Sequence, residues 1–125
     1  MRRLSQKQLA WLRAELEERR AELRHAVISL REEAHEALAN LDRSDVFDEE
    51  PSGDPDVERT FQVADAAAER LVEVEAALER LDNGTYGTCE VCGELIAIER
   101  LEALPETRMC LECRREAERT GVGVL

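Results

Sequence analysis

Before Pro51 the chain contains neither glycine nor proline, and this continuity constrains its fold more than any other feature. Within that stretch Leu9, Leu12, Leu16, Leu23, Val27, Leu30, Ala34, Leu38 and Leu41 recur in steps of three and four, with one gap at Arg19-Arg20. Residues spaced in this way line one face of an α-helix, so the segment reads as a single helix over about 5–41. At 1.5 Å per residue it extends roughly 55 Å. So polar a helix does not persist alone in water, because its stability comes from packing the stripe against a partner.

The partner is a second periodic segment, in which Val57, Phe61, Ala64, Ala68, Leu71, Val74, Leu78 and Leu81 repeat with nearly heptad spacing. It reads as a helix over about 55–81, with Asp54 as N-cap, Pro55 at the first helical position and Asn83-Gly84 as the stop. Asp42–Gly53 lies between the helices, with Pro51 and Gly53, and is long enough to reverse the chain but too short for another element. The expected fold class is mainly α: a long antiparallel helical hairpin of coiled-coil type. Antiparallel pairing sets the basic first half of helix one beside Glu69, Glu73, Glu75 and Glu79 of helix two. The domain reading is 1–83 for the hairpin, with an acidic tip at 42–54, and 84–125 for a second module.

In that second module the periodicity changes. Residues 85–104 read as short extended pieces with turns around Gly87 and Gly93, followed by a short C-terminal helix from near Cys110 to Arg119, stopped by Thr120-Gly121. Cys89 and Cys92 are separated by two residues, as are Cys110 and Cys113, with seventeen residues between the pairs. This spacing fits a four-thiolate zinc site. Gly93 suits the left-handed turn after the first pair, and the second pair sits at a helix start, where the dipole favours thiolate. Four soft anionic ligands leave no open coordination position, so one structural zinc ion is expected, with binding energy that substitutes for a core so small a module cannot build. Metal removal is expected to unfold it. Tyr86, Ile96, Ile98 and Leu101 are its expected core. Rubredoxin-type iron and dithiol redox pairs are the competing readings, although the strand–helix–strand pattern of thioredoxin-like chemistry is missing.

Composition narrows the function. A formal net charge of −12 repels nucleic acid phosphates, so direct nucleic acid binding is not expected. The charge is uneven: residues 1–31 carry eight basic and four acidic groups, and residues 32–82 carry four basic and seventeen acidic ones. No apolar run suits a membrane span and the N-terminus lacks a secretory pattern, which reads as a cytoplasmic protein without membrane association. Catalytic triads, phosphate-cradling glycine loops and histidine-bearing metal motifs do not occur, so no enzyme is expected. His25 and His35 read as solvated residues, Arg19-Arg20 as a solvated face, and Trp11 as packing against the zinc module.

The run from Leu81 to Cys113, LDNGTYGTCEVCGELIAIERLEALPETRMCLEC, resembles the DksA/TraR family of bacterial zinc-finger proteins. The most specific parts are Tyr86-Gly87-x-Cys89-x-x-Cys92-Gly93 and Ile96-x-Ile98-x-Arg100-Leu101-Glu102-Ala103-x-Pro105. The resemblance implies a coiled-coil hairpin joined to a zinc module, and a regulator that enters the secondary channel of RNA polymerase without touching DNA, in several members together with guanosine tetraphosphate. Members carry two aspartates three apart at the tip, followed by alanine. Asp45 and Asp48 keep that spacing, with Glu50 where alanine is expected, and Asp54 and Asp56 are a second candidate acidic pair. Asp54, Asp56 and Glu58 also suit a helix N-terminus through capping and the dipole alone. Eight acids from Asp42 to Glu58, however, repel one another at one end of a hairpin. The leading expectation is an RNA polymerase-binding transcription regulator. A zinc-stabilised helical interaction protein unrelated to polymerase and a small iron electron carrier are the rivals.

Overall fold

The computed structural model describes residues 3–44 and 55–121, with side chains in the first stretch described through residue 40. Four helices follow in order: α1 (Gln6–Ser44), α2 (Pro55–Asn83), α3 (Ile98–Ala103) and α4 (Leu111–Thr120). Helices α1 and α2 form the antiparallel hairpin, and the four cysteines belong to the segments around α3 and α4. The chain divides into two compact units, one of Met1–Arg19 with Glu73–Leu125 and the other of Arg20–Val72. Both long helices run through both units.

Helix α1 starts with a reciprocal cap. The Ser5 hydroxyl accepts from the Gln8 N–H at 3.1 Å, and the Gln8 side-chain carbonyl accepts from the Ser5 N–H at 2.8 Å. Two amides that the helix cannot satisfy internally are thereby paired. The helix continues past Leu41 to Ser44, since no residue in that stretch interrupts it. Helix α2 opens with Pro55, whose missing N–H costs nothing at a first position, and with Asp56 and Glu58 in its first turn. It ends at Asn83, where Gly84 takes φ +81° and the Thr85 and Tyr86 N–H groups return to the Arg80 carbonyl at 3.0 and 3.2 Å.

In the unit of Arg20–Val72, Val27 and Ala34 of α1 and Val57 and Ala64 of α2 are buried. Small side chains at two of these four positions let the helix axes approach closely. The His35 ring, exposed on one side, meets Phe61 edge to face with centroids 5.3 Å apart. His35 is therefore part of the packing rather than merely a solvated residue.

In the other unit the hairpin base and the cysteine module share one core. Leu12, Cys89, Ile96 and Leu101 form its buried centre, with Leu4, Tyr86, Met109, Cys110 and Cys113 packed around it. Leu16, Val74, Ala77 and Leu78 are buried in the same unit. Leu4 and Leu12 thus supply apolar volume that the short module lacks. Ile98 is half-buried and lines a groove of about 220 Å³ with Trp11 and Leu12. Trp11 remains 49% exposed there.

Two expectations need correction. Residues 85–104 are not all extended: the single antiparallel bridge Thr88–Leu95 is followed by helix α3, which buries Leu101 completely. Glu73 does not pair with helix one. It accepts from Arg108 at 2.6 Å, while Arg19 of helix one reaches Glu106 at 3.2 Å and Arg13 reaches Asp82 at 3.0 Å. The basic half of α1 is neutralised in part by the cysteine module, because the module lies within side-chain reach of the hairpin base. Arg19 is correspondingly part of an ion pair and not of a solvated face.

Candidate metal centre

The first cysteine pair sits on a tight backbone turn. The Cys89 N–H donates to the Glu94 carbonyl at 2.8 Å, the Gly93 N–H to the Cys89 carbonyl at 3.0 Å, and the Ile96 N–H to the Gly87 carbonyl at 2.8 Å. The turn closes because Gly93 takes φ +77°, a region that a side chain disfavours. Gly87 takes φ +90°, and a Cβ there would only touch the Leu4 side chain at 3.4 Å, so the glycine is required by conformation. The second pair is delivered by α4: Cys110 is its N-cap, with φ −68° and ψ 165°, and Cys113 lies in its first turn. Gly121, at φ +72°, ends that helix.

The four sulfurs lie within 4.8 Å of one another. The Cys92 and Cys110 sulfurs are 3.8 Å apart, far beyond a disulfide bond, and all four cysteines are free. A tetrahedral zinc ion with Zn–S bonds of about 2.3 Å separates its sulfurs by about 3.8 Å. Cys89 is buried, Cys110 and Cys113 are half-buried and Cys92 is exposed, so the cluster lies at the rim of the core.

Electrostatics agree with a cation in this place. Burial pushes the Cys89 thiol up, but the backbone N–H groups of Cys92, Cys110 and Val91 outweigh it and hold the group down to about 6. Cys113 is pushed up, by its hydrogen-bonded neighbour Cys110 first and by burial next. Cys92 is also raised, burial and its sulfur neighbours prevailing over the Glu94 N–H. One thiolate is favoured, while hydrogen bonds among the sulfurs and burial keep protons on the next ones. A divalent ion at the centre displaces those protons and takes all four as thiolates.

The family described as prokaryotic dksA/traR C4-type zinc finger matches residues 84–119. The RNA polymerase-binding transcription factor DksA of Haemophilus influenzae is 44% identical over 48 residues, which is 38% of this chain and 33% of that protein. The protein of the same name from Caulobacter vibrioides is 33% identical over 114 residues, covering 91% of this chain and 72% of that one. This chain belongs to the DksA/TraR family. Among solved structures, transcription factor DksA2 from Pseudomonas aeruginosa matches with a TM-score of 0.76 over 95% of this chain and 89% of that one; at 24% identity, this likeness concerns the fold. The chain spans about a third of the length of several curated relatives it matches, the Haemophilus protein among them.

For a DksA/TraR member with this donor set, the cofactor is one structural zinc ion. It would crosslink the turn after Gly87 to the start of α4. Of the acids singled out at the tip, Asp56 lies exposed in the first turn of α2, whereas Asp45, Asp48 and Asp54 are outside the described residues. The same is true of Glu50 and the capping role expected of Asp54. Sequence reasoning placed Tyr86 in the core and Arg100 in the family motif without their hydrogen-bonding roles, and it missed Arg80 and Glu106 altogether. Tyr86 donates its hydroxyl to the Pro105 carbonyl at 3.0 Å, and burial pushes its pKa up to about 12. Glu106 is a buried carboxylate beside Arg19. Its burial without an apolar signature left nothing in the sequence to reveal it.

Proposed function

We propose that this chain is a transcription regulator that binds RNA polymerase in the cytoplasm, with its helical hairpin entering the secondary channel and its acidic tip directed at the active-site region. The observation that carries this reading is the similarity along 91% of the chain to a protein named as an RNA polymerase-binding transcription factor. Cys89, Cys92, Cys110 and Cys113 act as the zinc ligands in this reading, and the module that they close sets the hairpin base. Regulation proceeds without covalent chemistry and without direct DNA contact, consistent with a net charge of −12 that opposes phosphate binding. Asp45, Asp48, Asp54 and Asp56 are the residues proposed to act at the tip.

An initiation assay with purified polymerase tests the proposal. Adding the zinc-loaded protein is expected to change promoter output, and the double charge reversal Asp45→Lys with Asp48→Lys is expected to remove that change while leaving polymerase binding largely intact. Unaltered transcription with both proteins removes the tip from the mechanism. Run with and without guanosine tetraphosphate, the same assay decides whether the alarmone acts at the complex. A second reading, a helical interaction protein unrelated to polymerase, is favoured by Ile28 and Val63, which stay 58% and 49% exposed on the hairpin. Sedimentation of the free protein separates it, since a stable self-associated form is expected only in that case.

A further inference from the structure

Residues 105–109 connect α3 to the second cysteine pair and belong to no helix. Every carbonyl along this segment nevertheless accepts a hydrogen bond from outside it. The Pro105 carbonyl takes the Tyr86 hydroxyl at 3.0 Å, and Glu106 and Thr107 share one Arg80 nitrogen, Nη2, at 3.4 and 3.3 Å. Arg108 takes the Glu90 N–H at 2.9 Å, and Met109 takes Arg100 Nε at 2.9 Å. Irregular backbone this consistently paired is fixed in register, because each lost bond leaves a carbonyl poorly solvated in a partly buried place.

The side chains add to the hold. Glu106 accepts from Arg19, Arg108 donates to Glu73 at 2.6 Å and lies 3.6 Å from Glu90, and the Thr107 hydroxyl accepts from Arg100 at 3.3 Å. The ends of the segment matter most. Met109 immediately precedes Cys110, and Glu90 immediately follows Cys89, so the Glu90–Arg108 bond ties the two cysteine pairs together through backbone alone. The rack of donors thus spans from α2 to both halves of the metal site.

We propose that Arg80, Arg100 and Tyr86 are positioning residues for zinc: by holding the 105–109 backbone they set the second cysteine pair against the first, so metal affinity depends on three side chains that do not touch the metal. Residues that orient ligands from outside the coordination sphere typically alter metal affinity about 10- to 100-fold.

Competition with a chromophoric chelator measures this on the full-length protein. Arg80→Gln and Arg100→Gln are each expected to raise the zinc dissociation constant about 10- to 100-fold. Tyr86→Phe, which removes one hydroxyl and keeps the ring, is expected to raise it several-fold and serves if an arginine variant fails to fold. Two comparisons distinguish positioning from general stability. Arg114→Gln breaks an exposed pair within α4, and Val74→Ala removes buried volume from α2 while leaving every hydrogen bond to the segment in place. Both are expected to stay within about twofold of the parent, against the 10-fold or greater loss set by orienting groups. A Tyr86→Phe and Arg100→Gln pair that binds zinc like the parent overturns the proposal, as does an equal loss in Val74→Ala. The zinc content of the parent, one per chain, reports on the metal assignment separately from all of these.

Discussion

At the scale of single residues, the cysteine turn depends on Gly93 for conformation alone. A Cβ placed there meets nothing within 4 Å, so Gly93→Ala introduces no clash and its cost is that of the left-handed backbone, about 1–2 kcal/mol. Denaturant unfolding of the zinc-loaded protein should show that loss, with Gly93→Asn losing less because asparagine tolerates this region. Acid should release the metal in a characteristic way. Cys89 is held down to about 6, so it offers zinc a thiolate without losing a proton above about 6 and must shed one at lower pH. Cys92 and Cys113 are raised, so protons compete with zinc at them already near neutrality. A plot of log affinity against pH is expected to rise with pH throughout and to be steeper below about 6, where Cys89 adds a proton. A slope that flattens there contradicts the ordering of the thiols. The clustering of the four cysteines was legible from spacing alone, since two-residue separations impose a local curl. The hydrogen-bonding roles of Arg80, Arg100 and Glu106 were not, because their partners lie between seven and 87 residues away in sequence and no periodicity marks them.

At the scale of elements, the hairpin helices were legible because the same physical cause, a stripe buried along one face, sets both the sequence period and the packing. Leu12, Leu16, Val27 and Ala34, and Val57, Ala64, Val74 and Leu78, lie buried where the stripe places them. Ala77 is buried as well, three residues on from Val74 and so on the same side of α2. Helix α3 escaped detection since six residues are under two turns and show no repeat; its fixed point is the fully buried Leu101. Packing predicts opposite kinds of damage at two positions. Leu16→Ala leaves a cavity and is expected to cost about 2–5 kcal/mol. Ala64→Leu forces bulk into a fully buried position and is expected to cost about 1–3 kcal/mol, with helicity retained. Urea unfolding followed by circular dichroism measures both, and a neutral Ala64→Leu contradicts close helix packing at that level.

At the scale of the whole molecule, the parts combine into a protein with much charge and little core. The module borrows Leu4 and Leu12 to complete its interior, and Arg19 pairs with Glu106, so the hairpin base and the metal site belong to one compact unit. No described helix is long and apolar enough to cross a membrane. The proposed function rests on what the hairpin contacts. Titration of purified core RNA polymerase with the zinc-loaded protein, followed by size-exclusion chromatography at moderate salt, measures that contact. A one-to-one complex is the result predicted; a zinc-loaded, fully helical chain that elutes apart from polymerase at every concentration contradicts the account.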